Sequence, residues 1–334
     1  YKRQLADGAN LTINNTNGAI VVSGVAGHSD ETVTINAGTS TVSLGAVGDS
    51  GHTQIHNLTV TGDGGITLTG NIYTSQDGSA ADITFNDTVK INGTVVIDSN
   101  DSSNDGTITF TTGIDGADGT GDNLTIEGGT AAITLQPIGV NQALTTLTIG
   151  ADSTSTAAIT LPNIGTTSAV GVTGATAIGN ANTATLTLDG VVYKTTGSQT
   201  YTAATGDENI LITGGGSGNA VAITSSGGNI GFATSGVDLQ NDETTTITSG
   251  GGTVSFGADL ESGDGGNDDL LVISSGAGDV TFTGAIGATH ELGGLDVNAA
   301  TAGSGDITFS SNIGVGGGSA QPGVVGTTAV GTTT

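Results

Sequence analysis

Clusters of Asp in Gly-rich loops are the side chains of this sequence best placed for chemistry. Asp98, Asp101 and Asp105 form one cluster, Asp115, Asp118 and Asp122 a second, and Asp264, Asp268 and Asp269 a third. Ca²⁺ takes six to eight oxygen ligands, and loops rich in Asp, Asn and Gly can supply them. All of these carboxylates are therefore candidate metal ligands, and Ca²⁺ is the single cofactor the sequence suggests. The stretch 263–270 is similar to one calcium-binding nonapeptide, but such units work in arrays and this copy stands alone. Solvated turns are the competing reading for every cluster. His52 and His56 would need further ligands on the same side to hold a metal, and two surface histidines are the simpler reading.

Catalysis is poorly provided for. Hydrolysis of a polysaccharide needs paired carboxylates at a set separation. Asp268 and Asp269 are adjacent, and adjacent residues on a strand point oppositely. Eliminative cleavage of an acidic sugar wants a nearby cation, and outside the N-terminal Lys2-Arg3 the chain offers Lys90 and Lys194. The expectation is that the protein is not an enzyme. Thr84, Thr109, Thr134, Thr160 and Thr187 recur with a spacing that would suit an ice-binding face. The positions two residues on are Asn86, Thr111, Gln136, Pro162 and Asp189, which form no matching column. Hydroxyl packing between strands explains the threonines better.

Short strands must position these residues. Apolar-Thr-apolar units recur about every 25 residues, as Ile83-Thr84-Phe85, Ile108-Thr109-Phe110, Ile133-Thr134-Leu135 and Ile159-Thr160-Leu161. The series resumes as Ile230-Gly231-Phe232, Val254-Ser255-Phe256, Val280-Thr281-Phe282 and Ile307-Thr308-Phe309, so that every Phe takes a third position. Alternation puts the outer residues of each unit on one face. A fixed period of this size marks a chain winding the same structural turn repeatedly. A second set of strands precedes the first, including Val33-Thr34-Ile35, Leu58-Thr59-Val60, Leu124-Thr125-Ile126 and Leu271-Val272-Ile273. A third patch follows as Ile164-Gly165, Ile286-Gly287 and Ile313-Gly314.

Three strands per turn, joined by Gly, Ser, Asp and Asn, describe a parallel β-helix. The predicted fold is all-β, a right-handed β-solenoid with almost no α-helix. Its third positions would align in one interior column through Val22, Leu44, Leu68, Phe85, Phe110, Leu135, Leu161, Leu188, Ile212, Phe232, Phe256, Phe282 and Phe309. That makes about 13 turns and a body on the order of 60 Å long. The body covers 1–313 and is less regular at 166–228, where an insertion or bulge is expected. Residues 314–334 form a Gly/Thr-rich tail, read as a linker or as a strand offered to a neighbouring subunit. A string of β-sandwiches is the alternative, but sandwiches do not repeat one triplet at one period.

Composition narrows the partners. Of 334 residues, 4 are Lys or Arg and 31 are Asp or Glu. Phosphate binding requires clustered cations, so nucleic acid is excluded. Anionic membrane surfaces are excluded for the same reason. No apolar run is long enough to span a bilayer. The absence of Cys removes thiol chemistry and suits an extracellular bacterial protein stabilised by its repeats. A secreted product whose leader has been removed is the expectation.

The run Gly278-Asp279-Val280-Thr281-Phe282-Thr283-Gly284-Ala285-Ile286-Gly287, followed by Leu292-Gly293-Gly294-Leu295-Asp296-Val297, resembles the β-strand repeats of giant bacterial surface proteins. Those repeats are similar to filamentous haemagglutinin-type adhesins, and the likeness covers most of residues 30–313. The resemblance implies a secreted, surface-attached or fibre-forming solenoid without an active site. The function expected is an extracellular structural element that stacks end to end with copies of itself into a surface filament or fibre, with an adhesive or matrix role. Cell-surface or extracellular polysaccharide is a further expected partner. The alternatives are a stalk segment of a larger adhesin, a polysaccharide-acting enzyme and an ice-binding protein.

Overall fold

Each short apolar-polar-apolar strand pairs in parallel with the strand one turn later, so like residues stack on like. A computed structural model describes residues 3–28, 30–50, 54–74, 81–100, 105–240, 244–263, 269–298, 305–314 and 323–331, the side chains of Arg3 and Asp207 apart. All regular elements among them are β, and the chain is a parallel β-solenoid of about eleven turns, close to the expected number. Among the described residues no helix is long and apolar enough to cross a membrane. Contacts cluster in two compact units, Tyr1–Ala157 and Ala158–Thr334.

In the first unit one face is built from Leu11–Asn14, Thr32–Asn36, Asn57–Thr61, Ile83–Phe85, Ile108–Phe110 and Ile133–Thr134. A second face stacks Ile20–Ala26, Val42–Val47, Ile66–Leu68, Val89–Ile91 and Ile114–Gly116. A third carries Ile72–Tyr73, Thr94–Asp98, Asn123–Glu127 and Thr146–Ile149. The outer residues of each triplet face inward. Val33, Ile35, Val60, Ile83 and Phe85 are fully buried. Burying side chains of this size contributes roughly 1.5–3 kcal/mol each, and this is how a chain rich in Gly and Thr finds a core.

The second unit repeats the plan. One face holds Thr176–Ile178, the starts of Gln199–Ile212 and Ile230–Leu239, then Val254–Phe256, Val280–Phe282 and Ile307–Phe309. Its interior column is aromatic. Tyr201, Phe232, Phe256, Phe282 and Phe309 stack with ring centroids 5.0–5.4 Å apart. Another face joins Ile159–Leu161, Leu186–Leu188, the ends of the two long strands and Leu260–Ser262. The last face comprises Val192–Thr195, Val221–Ser225, Thr244–Thr248, Leu270–Ser274, Gly294–Val297 and Thr328–Val330.

Glycine permits the close approach of these turns. Two residues before each strand of the aromatic face stand Gly174, Gly197, Gly228, Gly252, Gly278 and Gly305. A Cβ on Gly278 would overlap the Gly252 carbonyl oxygen, and one on Gly305 would overlap that of Gly278.

Three expectations need correction or refinement. The single interior column does not exist. Leu68 pairs with Leu44 and Ile91 on one face, whereas Phe85 pairs with Val60 and Phe110 on another. Ile212 likewise stacks between Leu188 and Leu239, while Phe232 stacks on Tyr201. Every face wants the same apolar-polar-apolar triplet, so the triplet cannot say which face it occupies. The irregular stretch contains a register shift in Gln199–Ile212, between Thr202 and Ile210, beside positive-φ Glu208 and Thr234. The tail is not wholly outside the turns, since Thr328–Val330 pairs with Leu295-Asp296-Val297 of the same chain.

Candidate functional site

The acidic side chains sit where one face turns into the next. Asp115 is the clearest case. It follows Ile114, and one turn later the chain reads Ile138-Gly139-Val140-Asn141. Gly139 has φ 67°, and its N–H donates to the Ile114 carbonyl at 2.7 Å. That left-handed residue swings the following amides over the buried Asp115 carboxylate, which accepts from Asn141 N at 3.0 Å and Asn141 Nδ2 at 2.8 Å. Glu127 repeats the device beneath Ile149-Gly150 (φ 60°), accepting from Ala151 N, Asp152 N and Ser155 Oγ. Glu261 repeats it beneath Ile286-Gly287 (φ 61°), accepting from Ala288 N, Thr289 N and His290 N at 2.9–3.1 Å. Converging backbone N–H groups of this kind form a nest for an anion, and here the chain supplies its own.

The other sequence candidates are also engaged with the protein. Asp105 accepts from Thr130 N and Oγ1 of the next turn. Asp118 is exposed and accepts from Thr120 N and Oγ1, which hold its carboxyl below the usual range. Asp122 is buried and accepts from Gly93 N, Asp118 N and Gly119 N. Asp118 and Asp122 are thus brought together around amide hydrogens. Asp269 is buried and accepts from Ser262 Oγ at 2.5 Å. Asp98 is half-buried and accepts from Asn100 N. Burial pushes its carboxyl up to about 6, with Glu127, Asp152 and Asp105 adding like charge. Asp101, Asp264, Asp268 and His52 lie outside the described residues. His56 is described, and its buried Nδ1 has no hydrogen-bond partner.

Among the described residues, one group of three carboxylates has ligating oxygens within 4.8 Å of one another: Asp7, Asp30 and Glu31. None of the sequence candidates belongs to it. Asp7 shares a side-chain hydrogen bond with Asp30, which raises its carboxyl. The signal for this group was faint, since Asp7 and Asp30-Glu31 sit one turn apart in unremarkable loops.

The threonines form a longer column than their spacing suggested. Thr12, Thr34, Thr59, Thr84, Thr109 and Thr134 are in register on one outer face of the first unit. Their flank is mixed, Asn14, Asn36 and Thr61 being in register, and Asn86 Nδ2 donates to Thr61 Oγ1 at 3.1 Å. Thr160 and Thr187 are in register in the second unit.

The remaining feature is at the first and last turns. Val33 and Ile35 are fully buried, but their partners Leu11 and Ile13 in the first turn are half-buried. Val280 and Phe282 are buried, but Ile307 and Phe309 in the last turn are half-buried. Among the described residues five large apolar side chains are exposed. Val21 at 74% lies in the first turn, and Ile313, Val325 and Val330 at 42–51% lie in the last. Strand edges are open there too, for Leu11–Asn14 pairs only with Thr32–Asn36, and Ile307–Phe309 only with Val280–Phe282, among the described residues.

Comparisons with protein-family models, curated proteins and solved structures find no match to this chain.

Proposed function

We propose that this protein is an extracellular structural β-solenoid that joins end to end with copies of itself to form a bacterial surface filament or fibre, with an adhesive or matrix role. The observation that carries this reading is the pair of open terminal turns. Their interior residues Leu11, Ile13, Ile307 and Phe309 lack the cover that every inner turn receives. An unpaired strand edge is a template for another strand. Parallel strand addition at such an edge is a recurrent mode of assembly. The resemblance to adhesin repeats, the acidic composition and the absence of Cys accord with a secreted, surface-attached product.

The buried carboxylates support a structural role as well. Asp115, Glu127 and Glu261 bind backbone amides of their own chain, which consumes the acceptors that a general acid or base would need. Polysaccharide at the cell surface is the external partner this reading allows.

The test is to charge the two ends. Sedimentation velocity of the purified protein should show polymers that grow with concentration, and Ile13→Lys with Phe309→Lys should leave single particles. A far-UV spectrum unchanged from the parent confirms that both variants fold. Single particles for the parent at every concentration would instead favour a stalk segment whose terminal turns are covered by neighbouring parts of a longer chain.

A further inference from the structure

The last turns of the second unit stack one buried acid directly on another. Asp238, in Ile230–Leu239, is the register partner of Glu261, in Leu260–Ser262. Asp238 is 3% exposed and Glu261 2%. Their environments are unequal. Glu261 accepts three backbone N–H bonds from Ala288, Thr289 and His290. Asp238 accepts one side-chain bond, from Gln240 Nε2 to Oδ2 at 3.0 Å. Its Oδ1 is buried with no hydrogen-bond partner. Gly263 lies so close over the Asp238 carboxylate that a Cβ there would overlap both oxygens.

The charges around Asp238 are mostly of its own sign. Glu208 acts on it from Gln199–Ile212 and Asp269 from just before Leu270–Ser274, its register partner Glu261 lies on the turn above, and Asp259 adds like charge at Glu261. The Gln240 amide and, more weakly, His290 on the corner that caps Glu261 favour its ionised form. Two adjacent buried carboxylates cannot both ionise cheaply. The better-solvated one keeps the charge, which is Glu261, and the poorly solvated one holds the proton.

We propose that Asp238 and Glu261 form an acid-closed latch, in which one proton held on Asp238 lets Glu261 clamp the 286–290 corner onto the turn beneath. Loss of the proton places two negative charges on adjacent turns and loosens the corner. Burial pushes the Asp238 carboxyl up to about 6 from 3.8, and burial also raises Glu261. A carboxyl raised in the folded state binds its proton more tightly there than in the open state. The latch is therefore closed where Asp238 holds its proton while Glu261 has lost its own, and it is lost as pH rises through about 6. The same stacking recurs in the first unit, where Asp98 is the register partner of Glu127 beneath the Gly150 corner.

Hydrogen exchange at Ala288, Thr289 and His290, expressed as protection factors, tests the latch. The parent should lose ~10- to 100-fold of its protection between pH 5 and pH 8, the upper limit being set by a shift of about two units. Asp238→Asn, a neutral mimic of the protonated acid, should keep its protection across that range. Constant protection in the parent, or an equal loss in Asp238→Asn, would overturn the proposal. Should the variant not fold, the carboxyl ¹³C resonance of Asp238 in the parent decides instead: a midpoint near 6 supports the latch, and one near the ordinary carboxylate value refutes it. CaCl₂ restoring protection at pH 8 in the parent but not in Asp238→Asn would also refute it, assigning the place to a cation.

Discussion

The two units use one plan with different interiors. The first unit runs Ile13, Ile35, Val60, Phe85 and Phe110 up one face, with a single aromatic contact at 5.2 Å. The second runs Ile178, Tyr201, Phe232, Phe256, Phe282 and Phe309, and its successive ring planes come closer to parallel, from 19° to 2°. The corners leading into these strands differ in step. In the first unit the residues two before the first inward-facing residue of each strand include Glu31, His56, Ala81, Gly106 and Ala131, whereas in the second they are all Gly. Uniform glycine corners let each turn settle on the last in the same way, and flat rings then overlap. A mixed set of corners shifts each turn differently, and flexible aliphatic side chains absorb the shifts.

Removing a ring from the middle of the aromatic ladder should have the largest effect. Phe256→Ala is expected to cost about 3–5 kcal/mol, including the loss of offset stacking on both sides at 5.0 Å. Val60→Ala, on the aliphatic ladder, should cost less because a smaller side chain is lost. Urea unfolding compared by hydrogen exchange on the two faces measures both. Equal losses would show that the aromatic ladder is no stronger than the aliphatic one. The corner comes next. Gly278→Ala should destabilise the second unit by about 1–3 kcal/mol through overpacking, because the new methyl overlaps the Gly252 carbonyl. Ala81→Gly, two residues before Ile83 in the first unit, should cost roughly 1 kcal/mol or less.

A further modest effect concerns how the aromatic ladder begins. Tyr201 OH donates to Gln199 Oε1 at 2.6 Å, and Gln199 Nε2 donates to Thr195 Oγ1 and the Thr224 carbonyl. Tyr193 OH donates to the Leu161 carbonyl and accepts from Gly190 N. Burial pushes the Tyr201 phenol up, so it stays neutral and remains a donor. Tyr201→Phe keeps the ring stack and should cost about 1–2 kcal/mol by leaving Gln199 Oε1 without its donor. An unchanged midpoint in urea would show that the network adds nothing to the stack.

The triplets made the fold class legible, because only a winding chain needs Ile and Phe phased at one long period. The column Phe232, Phe256, Phe282 and Phe309 followed from the same spacing. Face assignment did not follow. From Leu68 to Phe85 is 17 residues, shorter than a full turn, and that gap was the available sign that the chain had changed face. The role of the acids was half legible. The Ile-Gly pairs stood out, but their meaning depends on an acid about one turn earlier, as Glu261 lies before Gly287. Loops containing Asp115 and Asp122 looked like cation sites because sequence cannot show that the backbone has already taken their oxygens. Gln199 and Tyr193 were overlooked because polar residues in a strand are read as facing water.

Under the proposed function, the open first and last turns are an interface between copies of this chain. Negative-stain electron microscopy of the purified protein, with and without Ca²⁺, tests it most directly. Long fibres that lengthen with protein concentration are the predicted result, with Ile13→Lys and Phe309→Lys giving single particles. Isolated particles for the parent under every condition would contradict the claim.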